Sequence, residues 1–218
     1  MLTHVILYEE KKIKMLEELI KDNLLWFPEK GFGYYPVKDF PYNENYFNKY
    51  EGYARTNKGK KINQIRVSFV SKNFSGKILD VGIGSGQFVT SRKDTYGFDI
   101  NPVGVKWLKK QKLFFDLYGK EKIDAITFWD SLEHIENLSQ VVGQARKWVF
   151  VSMPIYQDLT HMLKSKHFRK DEHFWYFTHD GLVRWFSENS FDLADYSNAE
   201  TQFREDIFSY AFRRRENG

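Results

Sequence analysis

A glycine-rich turn near the middle of the chain places the strongest constraint on what the sequence can fold into. Residues 78–88 read ILDVGIGSGQF. This pattern predicts a buried strand, a tight turn and the start of a helix, as in the first turn of nucleotide-binding α/β folds. Gly82 allows the tight bend, and the missing side chains at Gly84 and Gly86 let a ligand lie against the backbone.

Short apolar runs alternate with polar, helix-compatible stretches from Lys77 onward. This alternation is typical of an α/β fold with a doubly wound, mostly parallel sheet. The predicted strands are residues 78–81, 96–100, 113–115, 125–129, 148–153, 192–196 and 207–213. Too few residues join the last two for a crossover helix between them. We therefore expect those two strands to form an antiparallel hairpin at one edge of the sheet.

The first third of the chain differs in composition from the remainder and is predicted to form an N-terminal helical and aromatic cap. Residues 9–23 show the apolar spacing of an amphipathic helix. Residues 26–53 are rich in aromatic side chains, but their prolines and glycines disfavour a long regular element. A turn at 57–59 and a helix ending near Asn73 follow. We divide the chain into a cap, 1–60, and a main domain, 61–218; the cap either covers the ligand site or extends the core.

The composition excludes several kinds of site. The chain has no cysteine, so disulfides, a thiolate nucleophile and a cysteine zinc site are ruled out. No apolar run approaches the about 20 residues of a membrane span, and the first residues lack the features of a secretory signal. These features predict a soluble, cytoplasmic protein without a membrane partner. The net charge of +4 is modest, so a polyanionic partner such as nucleic acid is the minority hypothesis.

Four acidic residues at the ends of predicted strands indicate which kind of ligand the turn binds. A dinucleotide fold has a third glycine where this chain has Gln87, and no GK[ST] sequence of a phosphate-binding loop follows the turn. The acids, each near the carboxyl end of one of the first four strands, are Asp80, Asp99, Asp116 and Asp130. Open α/β sheets bind their ligands at this edge. Four carboxylates would repel a pyrophosphate, but they suit a ligand that carries a sulfonium and an ammonium group.

Two of these acids have structural alternatives. Asp99 stands at the distance from the first glycine that is expected for an acid on the ribose hydroxyls, or it caps the helix that begins at Pro102. Asp130 lies at the ligand site, or it is a helix cap with Glu133 as its partner.

Three segments together resemble motifs of the class I S-adenosylmethionine-dependent methyltransferases: ILDVGIGSGQF, YGFDINP and AITFWDSLEHI. The resemblance implies a Rossmann-like, seven-stranded catalytic domain with S-adenosyl-L-methionine as cofactor. It also implies positions for the cofactor. The methionine end lies near Asp80, Gly82 and Gly84, the ribose on Asp99, the adenine near Ile100 and Asp116, and the cofactor carboxylate on Arg66. The links between the first three strands are shorter than is usual in the family, so the adenine wall is expected to differ.

The LEHI segment is similar to the branch that contains ubiquinone-biosynthesis O-methyltransferases and other small-molecule and sugar methyltransferases. In that branch the matching acidic and histidine positions, here Asp130, Glu133 and His134, help to hold a divalent cation. The alternative is metal-free: His134 takes the proton of the acceptor hydroxyl, while Glu133 fixes its tautomer or caps a helix. We prefer the metal-free version, because histidine is an uncommon ligand of magnesium.

The acceptor is predicted from what the chain lacks and from a segment rich in histidine and aromatic residues that follows the fifth strand. The Asn/Asp-Pro-Pro-aromatic loop of amino-methylating DNA enzymes is missing, and cytosine C5 chemistry needs a cysteine. His173 and His134 are the preferred bases for deprotonating a hydroxyl. We expect methyl transfer to a hydroxyl, less readily an amine, of a small molecule or glycan. The alternatives are methylation of RNA or a modified nucleotide and a noncatalytic, cofactor-binding protein.

Overall fold

The computed structural model describes residues 23–37 and 42–216. The helix predicted for residues 9–23 lies outside this part of the chain, except for Asn23. The strands are β1 (Leu25–Phe27), β2 (Phe32–Tyr34), β3 (Ile78–Val81), β4 (Thr95–Phe98), β5 (Ile123–Trp129), β6 (Ala145–Tyr156), β7 (Trp175–Thr178), β8 (Phe191–Ser197) and β9 (Ile207–Arg214). The helices are α1 (Glu44–Arg55), α2 (Asn57–Asn73), α3 (Gln87–Ser91), α4 (Pro102–Gln111), α5 (Leu138–Val142), α6 (Leu159–Lys164) and α7 (His179–Glu188). Short 3-10 helices span Leu132–His134 and Ala199–Gln202.

The main sheet has the order β4-β3-β5-β6-β9-β8. β3 pairs in parallel with β4 and β5, and β5 pairs in parallel with β6. β9 is antiparallel to both β6 and β8, so the predicted hairpin at the sheet edge is confirmed. The predicted α/β, mostly parallel fold is therefore confirmed. The parallel order brings the carboxyl ends of β3, β4 and β5 side by side.

The predicted third strand, residues 113–115, is reduced to a single parallel bridge between Phe114 and Gly97. The chain turns away directly afterwards, where the carboxylate of Asp116 accepts a hydrogen bond from the backbone N–H of Tyr118 at 3.1 Å. This Asx turn ends the pairing before a ladder can form.

A smaller extension of the sheet was not predicted. β1 and β2 form a hairpin, and β2 pairs antiparallel with β7. β7 in turn runs parallel to the second half of the 12-residue strand β6. The prediction that residues 26–53 lack a long regular element is wrong for α1, which spans 12 residues and is capped by the Asn43 side chain at the N–H of Tyr46. Pro28, Gly31 and Pro36 lie outside the strands and helices, whereas Gly52 is accommodated within α1.

The corner between α1 and α2 replaces the turn predicted at residues 57–59, which belong to the first turn of α2. Thr56 is the single residue between the two helices, and its side chain accepts a hydrogen bond from the N–H of Gly59 at 3.0 Å. A Cβ atom at Gly59 would lie 2.3 Å from the carbonyl oxygen of Tyr53. The glycine is therefore needed for the close approach of the helices. The predicted boundary after residue 60 falls inside α2.

The core lies on both faces of the main sheet, because helices cover both sides. β3 is buried along its whole length, as expected for a central parallel strand. On one face Phe69 and Val70 of α2 pack on Ile78 and Phe150, while α7 covers the other face with Leu182 and Phe186. No helix in the described part of the chain is long and apolar enough to cross a membrane.

Candidate functional site

The glycine turn forms the floor of a pocket at the carboxyl ends of β3, β4 and β5. All three of its glycines have positive φ, between 54° and 78°, which side chains disfavour. Gly82 packs against Ser131, and Gly84 faces the pocket below Tyr50. Gly86 differs from the expectation. A Cβ atom there would lie 2.5 Å from the Trp107 ring, so its missing side chain makes room for Trp107, and Gly86 does not line the pocket.

Asp80 lies beneath the glycine turn, 1% exposed, at the end of β3. Its carboxylate accepts a hydrogen bond from the Thr127 hydroxyl at 2.8 Å. Burial raises the pKa of Asp80 to about 7, although Thr127 and the Arg66 charge act in the opposite direction. A cation bound in the pocket would favour the ionised form of this carboxyl group.

Asp99 and Ile100 follow β4 and line the same pocket. Asp99 accepts a hydrogen bond from the backbone N–H of Asn101 at 2.8 Å. Burial raises its pKa. The cap of α4 is supplied by the Asn101 side chain, which accepts from the N–H of Val103, so Asp99 is not the capping residue.

Asp116, predicted near the adenine, is exposed and does not line the pocket. The two residues that line it at this point are Leu117 and Tyr118. Tyr118 is 53% exposed, and Ile100, which also lines the pocket, is 61% exposed although it is apolar. Sequence reasoning named Ile100 but missed Tyr118, because an aromatic residue in a short turn carries no motif.

Asp130, at the end of β5, is held by two arginines. Its Oδ2 atom lies 2.7 Å from a nitrogen of Arg66 and 2.7 Å from a nitrogen of Arg204. Both arginines also bind Glu200, whose side chain is fully buried, and Glu200 accepts hydrogen bonds from Ser152 and Ser209. The neighbouring arginines hold the pKa of Asp130 well below its usual range. Arg66 therefore faces the pocket as predicted, but with its charge already paired.

One face of α1, together with a tyrosine two residues before the helix, covers the pocket. Tyr42, Tyr46, Tyr50 and Tyr53 all line it. The rings of Tyr46 and Tyr50 lie 4.8 Å apart, and the Tyr46 hydroxyl donates to the Tyr50 hydroxyl at 3.3 Å. Asn101 donates to the carbonyl of Asn43 at 3.0 Å and Gln87 to that of Ala54 at 3.1 Å. Both ends of α1 are thus tied to the segments that follow β3 and β4.

Beyond Asp130 the structure brings together Glu133, His134 and His173. His134 lines the pocket, whereas Glu133 and His173 are buried behind it. The two imidazole rings meet edge to face at 4.6 Å between centroids. Burial lowers the pKa of both histidines, so both are neutral at neutral pH. Burial and the nearby Asp130 raise the pKa of Glu133 to about 8.

The sequence and the fold define a class. A family profile described as a methyltransferase domain matches residues 50–196, more than half of the chain. The chain therefore belongs to the methyltransferase-domain family. It is an enzyme, and its cofactor is S-adenosylmethionine. No curated protein is significantly similar to it in sequence.

Solved structures of methyltransferases share the fold. Magnesium protoporphyrin IX methyltransferase from Synechocystis PCC 6803, solved with bound SAH, has a TM-score of 0.58 and 16% identity, over 80% of this chain and 96% of that one. A possible histamine N-methyltransferase from Thermotoga maritima has a TM-score of 0.58 and 13% identity, over 79% and 97%. The small RNA methyltransferase HEN1 has a TM-score of 0.52 and 18% identity, over 73% and 25%. These acceptors differ widely, so the likeness identifies the fold and leaves the acceptor open.

Proposed function

We propose that this enzyme transfers the methyl group of S-adenosylmethionine to a hydroxyl group, less readily to an amine, of a small molecule or glycan. The observation that carries the proposal is the continuity of the pocket. It runs from the glycine turn and Asp80, under the tyrosines of α1, to the neutral imidazole of His134. An aromatic wall suits an uncharged organic acceptor, and a neutral imidazole suits proton removal from a hydroxyl.

The charges of the pocket support an arrangement of the bound cofactor. We assign the methionine end to Asp80, Gly82 and Gly84, and the ribose to Asp99, whose carboxylate accepts hydrogen bonds. The adenine then lies near Ile100 and Tyr118, two exposed residues that line the pocket. Arg66 is the candidate partner of the cofactor carboxylate, and it would share its guanidinium between that group, Asp130 and Glu200.

The cap proposed for residues 1–60 is supported by only one of its described segments. α1 covers the pocket, whereas the β1–β2 hairpin extends the sheet through β7. We therefore assign the exclusion of water from the reaction to α1.

A nucleic-acid acceptor is the weaker candidate. Among the described residues that line the pocket, the arginines and lysines comprise Arg66 and Arg204, and both are paired with Asp130 and Glu200. A phosphate backbone that entered the pocket would meet acidic side chains. The two arginines that line the pocket are already paired with acids and are not available to bind phosphate.

Calorimetry with S-adenosylmethionine, its demethylated product and NAD tests the cofactor assignment. We expect both methionine compounds to bind at roughly micromolar affinity and NAD not to bind, because the carboxylates repel its pyrophosphate. Asp99→Ala should lose more than about tenfold in affinity, since two hydrogen bonds to a charged acceptor contribute about 1.5–3 kcal/mol each.

Asp124→Ala is the matched control, because Asp124 pairs with Lys147 at the far end of β5. Binding of NAD in place of the methyl donor would show that the assignment is wrong. A loss of tenfold or less in Asp99→Ala would mean that Asp99 only shapes the loop after β4.

The role of His134 is tested by His134→Ala, assayed with an acceptor found by screening hydroxylated compounds. Turnover should fall by about 100-fold or more, whether His134 takes the proton or holds a cation that acidifies the hydroxyl. His161→Ala is the control, because His161 lies on α6 near Asp206, outside the pocket. Full activity of His134→Ala would exclude both roles.

A further inference from the structure

Two arginines and two acids form a closed, charge-balanced cluster at the wall of the pocket. Arg66 comes from α2, Asp130 follows β5, and Glu200 and Arg204 lie in the connection between β8 and β9. Each arginine binds both acids. The four side chains are between 0% and 26% exposed, so water and salt screen their charges only weakly. Two positive and two negative charges cancel, which leaves the cluster neutral before a ligand binds.

Glu200 fixes the orientation of Arg66. Its two carboxylate oxygens accept from Nε of Arg66 at 2.9 Å and from Nη2 at 3.1 Å, which is the two-point pairing of a carboxylate with one edge of a guanidinium group. Ser152 and Ser209 donate to the same carboxylate from β6 and β9. Burial disfavours the ionised form of Glu200, but the charges of Arg66 and Arg204 outweigh it and lower the pKa. Glu200 is therefore a fixed negative charge.

The contacts of Arg66 leave one of its three nitrogens for a ligand. Nε and Nη2 bind Glu200, and Nη2 also donates to Asp130 at 2.7 Å. The guanidinium group lies over the Trp129 ring, with Cζ 5.1 Å from the ring centroid. Nη1 makes no hydrogen bond to a residue that the structure describes, and Arg66 lines the pocket. A ligand carboxylate is therefore expected at Nη1.

Arg204 supplies the second positive charge of the cluster. Its Nη1 lies 2.7 Å from Oδ2 of Asp130, the same oxygen that Arg66 binds. Without Arg204, one positive charge would face the two negative charges of Asp130 and Glu200. A carboxylate that approached Arg66 would then meet a cluster that is already negative. Arg204 thus neutralises the acids that would otherwise take up the whole charge of Arg66.

We propose that Arg204 is a positioning residue for the cofactor: by balancing Asp130 and Glu200, it lets Arg66 select a ligand that carries an amino-acid carboxylate. The proposal rests on the proposed function, in which Arg66 is the partner of that carboxylate. Contact between Arg204 and the cofactor is not required, because the effect is carried by the two acids. The connection between β8 and β9 thereby gains a role in the choice of cofactor.

Two ligands that differ in the carboxylate alone test the proposal: S-adenosylmethionine and its decarboxylated form. Calorimetry on the full chain should show that the unaltered protein prefers S-adenosylmethionine. Arg204→Met should reduce this preference, measured as the ratio of the two affinities, by about tenfold or more, because the carboxylate then meets an unbalanced acid. Arg213→Met is the matched control, since Arg213 lies in β9 and pairs with Glu216 at the surface. Its ratio should equal that of the unaltered protein.

A double variant separates charge balance from shape. Arg204→Met combined with Glu200→Gln removes one charge of each sign, so the cluster is neutral again. Its ratio should return to within about threefold of the unaltered protein. Arg204→Lys keeps the charge and should retain the preference. If Arg204→Met does not fold, the same charge step is measured between Glu200→Gln and the double variant, where the ratio should fall by about tenfold.

The outcomes separate this proposal from the proposed function. Equal losses of affinity for both ligands in Arg204→Met would indicate a merely structural role and would overturn the proposal. An unaltered protein that does not distinguish the two ligands would also overturn it. The proposed function would be refuted if the unaltered protein bound neither ligand. Normal binding of S-adenosylmethionine with no effect of Arg204 on the ratio would refute only the role of Arg204.

Discussion

At the scale of single residues, Asp80 is the acid in the pocket whose ionisation a bound ligand is expected to change. Its carboxyl group is buried at the end of β3 and faces one cation, Arg66, and one further acid, Asp99. Burial brings its pKa to about 7. The free enzyme therefore holds Asp80 as a mixture of protonated and ionised forms at neutral pH. A cofactor with an ammonium and a sulfonium group binds the ionised form better.

We therefore expect affinity for S-adenosylmethionine to fall as the pH drops below about 7, by up to about tenfold per pH unit. Calorimetry in buffers of different ionisation enthalpy should detect proton release on binding near neutral pH. Asp80→Asn should bind more weakly but lose most of this pH dependence. Affinity that is constant or that rises on acidification would contradict the prediction.

The raised pKa of Asp80 also predicts how the stability of the fold changes with pH, and this gives an independent test. The folded-state pKa of Asp80 lies above the ordinary aspartate value of 3.8, so the folded state binds the proton more tightly. Its contribution to stability is complete at low pH and is lost as the pH rises towards about 7. Asp80→Asn should therefore raise the melting temperature at about pH 8 more than at about pH 5.

At the scale of elements, the corner between α1 and α2 determines how the tyrosines of α1 are positioned over the pocket. α1 carries the pocket-facing side chains of Tyr46 and Tyr50, but it is joined to α2 by Thr56 alone. Gly59 packs against the carbonyl group of Tyr53. This is a contact between two backbone segments, and neither can easily move to make room for a side chain. The orientation of the pocket cover thus depends on one glycine in the neighbouring helix.

Two alanine substitutions test this dependence. Gly59→Ala should displace α1 and cost about 1–3 kcal/mol, because the added methyl group overlaps backbone. Hydrogen exchange of the α1 amides should become faster, and cofactor affinity should fall. Gly52→Ala is the matched control within α1, because nothing lies within 4 Å of the added atom. It should stabilise α1 by about 0.5–1 kcal/mol through helix propensity. Equal effects of the two substitutions would show that the corner does not position α1.

At the scale of the whole molecule, the sequence predicted the parts that carry a regular pattern. The central strands could be predicted because they are apolar runs between turn residues, and the glycine turn indicates at which edge of the sheet the pocket lies. β1, β2 and β7 could not, because three- or four-residue strands are defined by long-range pairing. The 12-residue helix α1 was not predicted, because the prolines and glycines that lie before it suggested an irregular segment.

The candidate site was predictable to a similar degree. Asp80 and Asp99 line the pocket as expected, since both follow from strand ends. Glu200 and Arg204 carry no motif. They lie in the connection between β8 and β9, where Arg204 binds both Asp130 and Glu200, so only the folded chain brings them to the site. His173 was predicted as a base. Its partnership with Glu133 depends on the small sheet extension, which the sequence pattern does not indicate.

The pairing of β2 with β7 also has a consequence for the order of events during biosynthesis. Gly31 accepts hydrogen bonds from Thr178, which lies 147 positions further along the chain. At about 5–20 residues per second, the ribosome makes the second partner roughly 7–30 s after the first. Leu25 and Phe27 leave the ribosome in this interval without a sheet to join. The β1–β2 hairpin is therefore synthesised long before β7, the strand that joins it to the sheet, and chaperones have long access to it in the meantime.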